Sequence, residues 1–208
     1  MIKLNEITEI LDILRCCSKI ALKFYNKKNL KVSLKNDYSP VTEADTKISK
    51  IAISRLKKIF KSDIIISEEK KIEEEDFNHN RFWLIDPIDG TKEFIKKTGN
   101  FTINFALIVS RKPIFGIICQ PTTSSVWYNY NFESYKIVNS FDINDAFLIK
   151  ASNFKEEEPK LICSSNNIEL GLKNWINLVN PLKTKFIGSS LKFCLMAEGK
   201  YNIYPRNL

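Results

Sequence analysis

The run RFWLID (81–86) is apolar from Phe82 to Ile85 and then stops at an acid. A short unbroken apolar run of this kind reads as a buried strand. The segment at its end constrains the chain most. Asp86 and Asp89 flank Pro87 and Ile88, and Gly90 and Thr91 come next. Pro87 holds its own φ and pushes Asp86 toward extended geometry. The two aspartates are three apart, so a tight turn can aim both at one point, and Gly90 lets the backbone approach a ligand closely. Thr91 is placed to begin a short helix whose free N–H groups suit a phosphate. Taken alone, the segment is equally well an ordinary Asp-Gly turn with a capping aspartate.

Two further acid groups shift the balance. DIIIS (63–67) reads as another buried strand and ends at Glu68-Glu69, where an unpaired carboxylate would be costly. Asp45, in SPVTEADTK (39–47), lies at a helix start, where capping alone would also explain it. Acids at the ends of three elements point to a shared metal site. Hard oxygen ligands suit Mg2+ at about 2.0–2.1 Å. Two such ions roughly 3.5–4 Å apart would clamp both oxygens of an in-line phosphoryl displacement.

The remaining elements predict an α+β chain. Residues 4–25 carry apolar side chains at helical spacing, and a second helix runs from about Thr42 to Phe60 with acids in its first turn. Residues 70–80 form a polar loop that contains His79, the lone histidine. NFTINFALIVS (100–110) and IFGIICQ (114–120) read as a hairpin about Arg111-Lys112-Pro113, and SSVWYNY and SYKIVN continue the antiparallel pattern. After a linker-like stretch (150–160) the expected order is strand 161–164, helix 168–179, strand 184–188, helix 190–198 and strand 201–205. The 208 residues divide on this reading into a metal-site half (1–148) and a smaller lobe (149–208).

Composition narrows the function classes. No apolar run reaches 18 residues, so no transmembrane helix is expected, and the acids inside MIKLNEITEILDIL argue for an amphipathic helix over a signal peptide. Five cysteines without a C-x-x-C read as reduced, buried thiols of a cytoplasmic protein. The net charge of +8 favours anionic partners. Lysine, asparagine and isoleucine abound in the manner of an A/T-rich genome, which discounts that charge as a functional sign. It leaves peripheral contact with the cytoplasmic face of the inner membrane open. No basic block is interleaved with aromatics, which weighs against nucleic acid. Oligomeric state is not legible.

SPVTEADTK, ISEE (66–69), WLIDPIDGTKEFI (83–95), FTINFALI with KPIFGIICQP (101–121) and GSSLKFCLMAEG (188–199) together resemble the inositol monophosphatase-like phosphatases. DGTKEF and GSSLKFC resemble the bisphosphate nucleotidase branch in particular. The resemblance covers essentially the whole chain. It implies a layered αβαβα sugar-phosphatase fold and Mg2+-dependent hydrolysis of adenosine 3',5'-bisphosphate to AMP and phosphate, with inhibition by Li+. It implies that Glu68, Asp86 and the Ile88 carbonyl hold one Mg2+, and Asp86 and Asp89 a second. Asp45 and Thr91 would form a dyad in which Asp45 accepts the Thr91 proton and Thr91 polarises the attacking water. Glu68, Ile88, Asp89, Gly90 and Thr91 would line the scissile phosphate. Ser189, Lys192 and Arg206 would contact the nucleotide, the two cations pairing with its second phosphate.

Two departures qualify this expectation. Members of the family usually continue past a YPR into WDTAAG, whose aspartate completes the second metal site. Here the chain reads IYPRNL and has no WD-x-A-A-G. On this reading C-terminal elements are missing, a sheet edge and an apolar helix face are uncovered, and activity falls on the order of 100-fold or more. CSSN (163–166) stands where the nucleotidases usually read SRSH, removing an arginine and a histidine near the nucleotide. An inositol or sugar monophosphatase and an inactive remnant therefore remain as alternatives.

Overall fold

A computed structural model describes residues 2–29, 32–34, 40–70, 79–153, 158–164 and 170–206. Helix α1 (Leu4–Tyr25) forms over the periodic stretch and buries Ile7, Ile10, Leu11, Leu14, Cys17, Ala21 and Phe24. Its start is held by Glu6, whose Oε2 accepts from Lys3 N at 2.7 Å. A short antiparallel pair, β1 (Val32–Leu34) and β2 (Pro40–Thr42), leads into α2 (Glu43–Ile59). Thr42 caps α2, its Oγ1 accepting from Ala44 N at 3.2 Å. The two helices pack together and cover one face of a seven-stranded sheet.

That sheet runs in chain order: β3 (Ile64–Ser67), β4 (Arg81–Asp89), β5 (Thr102–Val109), β6 (Lys112–Gln120), β7 (Ser125–Tyr130), β8 (Glu133–Ile137) and β9 (Phe147–Ile149). Only β3 and β4 are parallel. Trp83, Ile103, Phe105, Leu107, Phe115 and Ile117 form the core beneath α1 and α2. The β5–β6 turn is tighter than the sequence suggests. Ser110 and Arg111 take left-handed conformations, φ 49° and 62°, and the strand resumes at Lys112. Such a two-residue turn matches the twist of paired strands. Pro113 sits inside β6, where an irregularity between Leu107 and Ile108 admits it.

On the other face lies α5 (Leu191–Ala197), which shares an apolar cluster with Trp127 of β7 and with Ile162 of a small parallel sheet. That sheet pairs β10 (Lys160–Cys163) with β11 (Lys183–Phe186). Glu198, at the end of α5, ties the layers together. Its Oε1 accepts from Trp127 Nε1 and Lys136 Nζ, each at 2.8 Å, and its Oε2 pairs with Lys200 at 2.6 Å. The outer helix α4 (Leu170–Val179) buries none of its residues, and Leu170, Trp175 and Leu178 are exposed.

The expected strand 201–205 is corrected: it contributes a single parallel bridge, Ile203 to Leu161. The side chain of Asn202 takes the Lys160 N–H at 2.8 Å, which displaces ladder pairing. Pro205 has no N–H to offer. Among the described residues no helix is long and apolar enough to cross a membrane.

Candidate metal and phosphate site

The sheet register explains how both aspartates of DPID reach one side. Asp86 pairs with Asn104 and Asp89 with Thr102, so three steps along β4 match two along β5. In a regular strand, residues three apart point to opposite faces. The extra residue is a bulge, and it returns Asp89 to the face that Asp86 occupies. The turn inferred from Pro87 is thus a strand irregularity. Gly90 then takes a left-handed conformation, φ 88°, and caps α3 (Thr91–Ile95). A Cβ on Gly90 would lie 3.0 Å from Ser189 Cβ and 3.1 Å from Asn100 O, so the close approach also requires glycine.

Neighbouring elements bring in the other acids. Glu68 follows β3 and its N–H donates to Ile85 O at 3.0 Å, beside Asp86. Burial first, then the charges of Asp89 and Glu68, a hydrogen bond with Glu68 and the charge of Asp45 push the Asp86 carboxyl up to about 9. Asp86 Oδ1 is buried and has no hydrogen-bond partner among the described residues. Asp45 is buried at the start of α2, where its Oδ2 accepts from Thr42 N at 2.8 Å and Thr42 Oγ1 at 2.6 Å. Burial raises its pKa to about 6 against the pull of those two bonds, with the Glu69 charge adding to the rise.

Asp89 is held differently. Its Oδ2 accepts from the backbone N–H of Ser190 and from Asn104 Nδ2 at 3.4 Å, and Thr102 Oγ1 lies 3.5 Å away. Thr91 Oγ1 donates to Ile88 O at 3.1 Å. The expected partners Asp45 and Thr91 are therefore each engaged elsewhere, Asp45 by Thr42 and Thr91 by Ile88.

The sequence profile of the inositol monophosphatase family matches residues 4–207. The 3'(2'),5'-bisphosphate nucleotidase CysQ of Buchnera aphidicola is 38% identical over 203 residues, covering 95% of this chain and 74% of that protein. The chain belongs to the inositol monophosphatase family. Among solved structures, CysQ from Bacteroides thetaiotaomicron superposes with a TM-score of 0.76 at 25% identity, over 97% of this chain and 79% of that one. An IMPase/NADP phosphatase complexed with Mg2+ and phosphate has the same fold, with a TM-score of 0.70 at 18% identity over 94% of this chain and 72% of that one. The layered α+β architecture is thus the inositol monophosphatase fold, and the chain spans about three quarters of the lengths of these proteins.

Members of this family bind Mg2+, as the last of these structures illustrates. The residues here fit such an ion. A buried carboxylate oxygen without a donor, next to three more carboxyl groups, lacks positive charge. Among the described residues no three acids, imidazoles or thiols stand together as a ready ligand set. Asp45 and Asp89 accept hydrogen bonds from protein donors with which a cation would compete.

Of the residues expected to contact a nucleotide, Ser189 and Lys192 lie near the same point. Ser189 is buried in a left-handed conformation, φ 58°, against Gly90. Lys192 is buried too, and its Nζ donates to Ser189 O at 2.6 Å. Arg206 is exposed at the edge of the described chain. Ser165 and Asn166 of CSSN lie outside the described residues. Sequence reasoning missed Thr102, Asn104 and Ser190. A signal was present: Thr102 and Asn104 alternate with buried Ile103 and Phe105 in a strand otherwise rich in apolar residues.

Proposed function

We propose that the chain is a Mg2+-dependent 3'(2'),5'-bisphosphate nucleotidase that converts adenosine 3',5'-bisphosphate to AMP and phosphate. The observation that carries this reading is the 38% identity over 203 residues with the Buchnera nucleotidase. The acid site at the end of β4 accounts for the chemistry. Glu68, Asp86, Asp89 and the Ile88 carbonyl oxygen would hold the metal. When bound, Mg2+ supplies Lewis-acid charge to the phosphoryl oxygens and lowers the pKa of a water.

This chain's own residues do the rest. A Thr91 hydroxyl rotated from Ile88 toward Asp45 gives up its proton to that carboxylate and accepts one from the attacking water, a role a lone hydroxyl fills poorly. The backbone of Asp89, Gly90 and Thr91 cradles the scissile phosphate, and Ser189 lies against it. Lys192 and Arg206 meet the second phosphate, for which a guanidinium and an ammonium are complementary. The compartment expected with this substrate is the cytoplasm.

Phosphate release measured in parallel on adenosine 3',5'-bisphosphate and on inositol monophosphate, at millimolar Mg2+, tests the reading. The bisphosphate should turn over faster. Faster turnover of the inositol phosphate would move the substrate to the sugar phosphates. Folded protein that releases phosphate from neither would support a catalytically inactive member.

A further inference from the structure

We propose that Asn104, Thr102 and Ser190 are positioning residues that fix the Asp89 carboxylate with Oδ2 engaged and Oδ1 offered to the metal. The inference deepens the reading of this site as a cation site and rests on it. It starts from how few protons the cluster holds. Thr102 and Ser190 have one hydroxyl proton each, and the Asn104 amide has two N–H donors on one side and an acceptor on the other. Ser190 Oγ lies 2.8 Å from Thr102 Oγ1 and 3.1 Å from Asn104 Oδ1. Thr102 Oγ1 is 3.5 Å from Asp89 Oδ2, a longer and weaker contact.

One direction of donation gives both hydroxyls and the amide an acceptor: Thr102 donates to Ser190, Ser190 to Asn104 Oδ1, and Asn104 Nδ2 to Asp89 Oδ2. An ionised carboxylate oxygen only accepts, so the Asn104 amide presents its nitrogen to Asp89. Its oxygen then needs the Ser190 hydroxyl. A chain of this kind polarises each member in turn. The Ser190 backbone N–H closes the clamp on the same oxygen. Thr102 is fully buried and Ser190 nearly so, so water does not replace these donors freely.

The placement comes from the fold. Thr102 and Asn104 are two apart on β5 and share the face opposite the core residues Ile103 and Phe105. The bulge in β4 sets Asp89 opposite Thr102. Ser190 arrives from 86 residues further along the chain than Asn104, at the start of α5. The clamp therefore fixes the carboxylate to both halves of the molecule. A carboxylate oriented in this way binds a cation through one oxygen, without first losing rotational freedom.

The test uses Mn2+, an oxygen-seeking probe ion, added to the full chain and followed by the electron paramagnetic resonance of the free ion. Asn104→Leu should weaken Mn2+ binding by about 10–100-fold, the effect usual for partners that orient a ligand. Ser190→Ala should weaken it less, because the backbone N–H remains. Thr102→Ser should bind like the parent, and Thr102→Val should not. In metal-free protein the Asn104 side-chain amide should exchange slowly by NMR, and Asp89→Asn or Ser190→Ala should release it.

Parental Mn2+ affinity in Asn104→Leu, or in both Ser190→Ala and Thr102→Val if the first fails to fold, overturns the proposal. Rapid exchange of the Asn104 amide in the parent does so as well. Mn2+ binding that is indifferent to Asp89→Asn removes the cation from this site and overturns it by another route, which the amide signals keep distinct.

Discussion

The carboxyl group of Glu93 fills the space in front of Gly188: a Cβ on that glycine would stand 2.2 Å from both Cδ and Oε1 of Glu93. Glu93 belongs to α3, directly after the metal-site turn, and Gly188 opens the Gly-Ser-Ser segment before α5. The KEF after DGT and the GSS nearly a hundred residues later are thus two sides of one contact. A Cβ added at Gly90 would likewise meet the next residue, standing 3.0 Å from Ser189 Cβ.

Gly188→Ala should therefore displace a buried side chain and destabilise the protein by about 1–3 kcal/mol, the usual cost of overpacking. Urea unfolding measures it. Adding Glu93→Ala should recover part of the loss, so the two changes should not add. Additive losses would mean that the two residues do not press on each other.

Thr91→Ala and Asp45→Asn should each lower turnover of adenosine 3',5'-bisphosphate by about 10²–10⁴-fold, the span typical of a lost proton-transfer group. Thr91→Ser keeps the hydroxyl and should keep most of the rate. Circular dichroism should show both inactive variants folded. Because Asp45 also caps α2 through Thr42, Asp45→Asn should cost about 1 kcal/mol of stability as well. Near-parental kcat in either variant would exclude the dyad.

Cation binding should release a proton. Burial, then the charges of Asp89 and Glu68, raise the pKa of metal-free Asp86, so it keeps its proton above the pH at which an ordinary carboxyl loses it. A cation takes the place of that proton. Titration calorimetry with Mg2+ in two buffers of different ionisation enthalpy should report net proton release. The same shift sets the sign of stability without metal. The folded state keeps a proton that the unfolded chain has lost, so stability should fall as pH rises from about 4 toward about 9. A buffer-independent binding enthalpy would contradict this account of Asp86.

Glu198 should behave in the opposite sense. Burial alone would raise its pKa, but hydrogen bonds from Lys136, Lys200 and Trp127 outweigh burial and lower it. A carboxyl lowered on folding contributes stability above its unfolded pKa and loses it as pH falls through the folded value. Glu198→Gln should therefore reduce stability at neutral pH and flatten the acid limb of the stability curve below about pH 5. Unfolding midpoints measured from pH 3 to 7 check it. Parallel curves for the variant and the parent would show that Glu198 does not tie α5 to β7 and β8.

The amino-acid order was enough for the elements whose signal is local. The 3.6-residue period of α1, the Thr42 cap of α2, the apolar runs of β3 and β4 and the acids at their ends all stand where the chain's own periodicity and capping residues put them. It also marked Asp45, Glu68, Asp86 and Asp89 as a group, since they stand at the ends of three elements and an unpaired acid at the end of a buried strand is costly. Folding in three dimensions settled whatever depends on pairing across distance. Register with β5 turned the DPID segment into a bulge, and that alone put Asp86 and Asp89 on one face. Packing of the segment beyond residue 187 buried Lys192 and set Ser190 on Asp89. The Ser110–Arg111 turn and the lone bridge at Ile203 likewise came from strand twist and a competing Asn202 side chain. Local periodicity arises from the geometry of one segment of backbone. Which hydroxyl or amide meets a given carboxylate is settled only when segments a hundred residues apart close on each other.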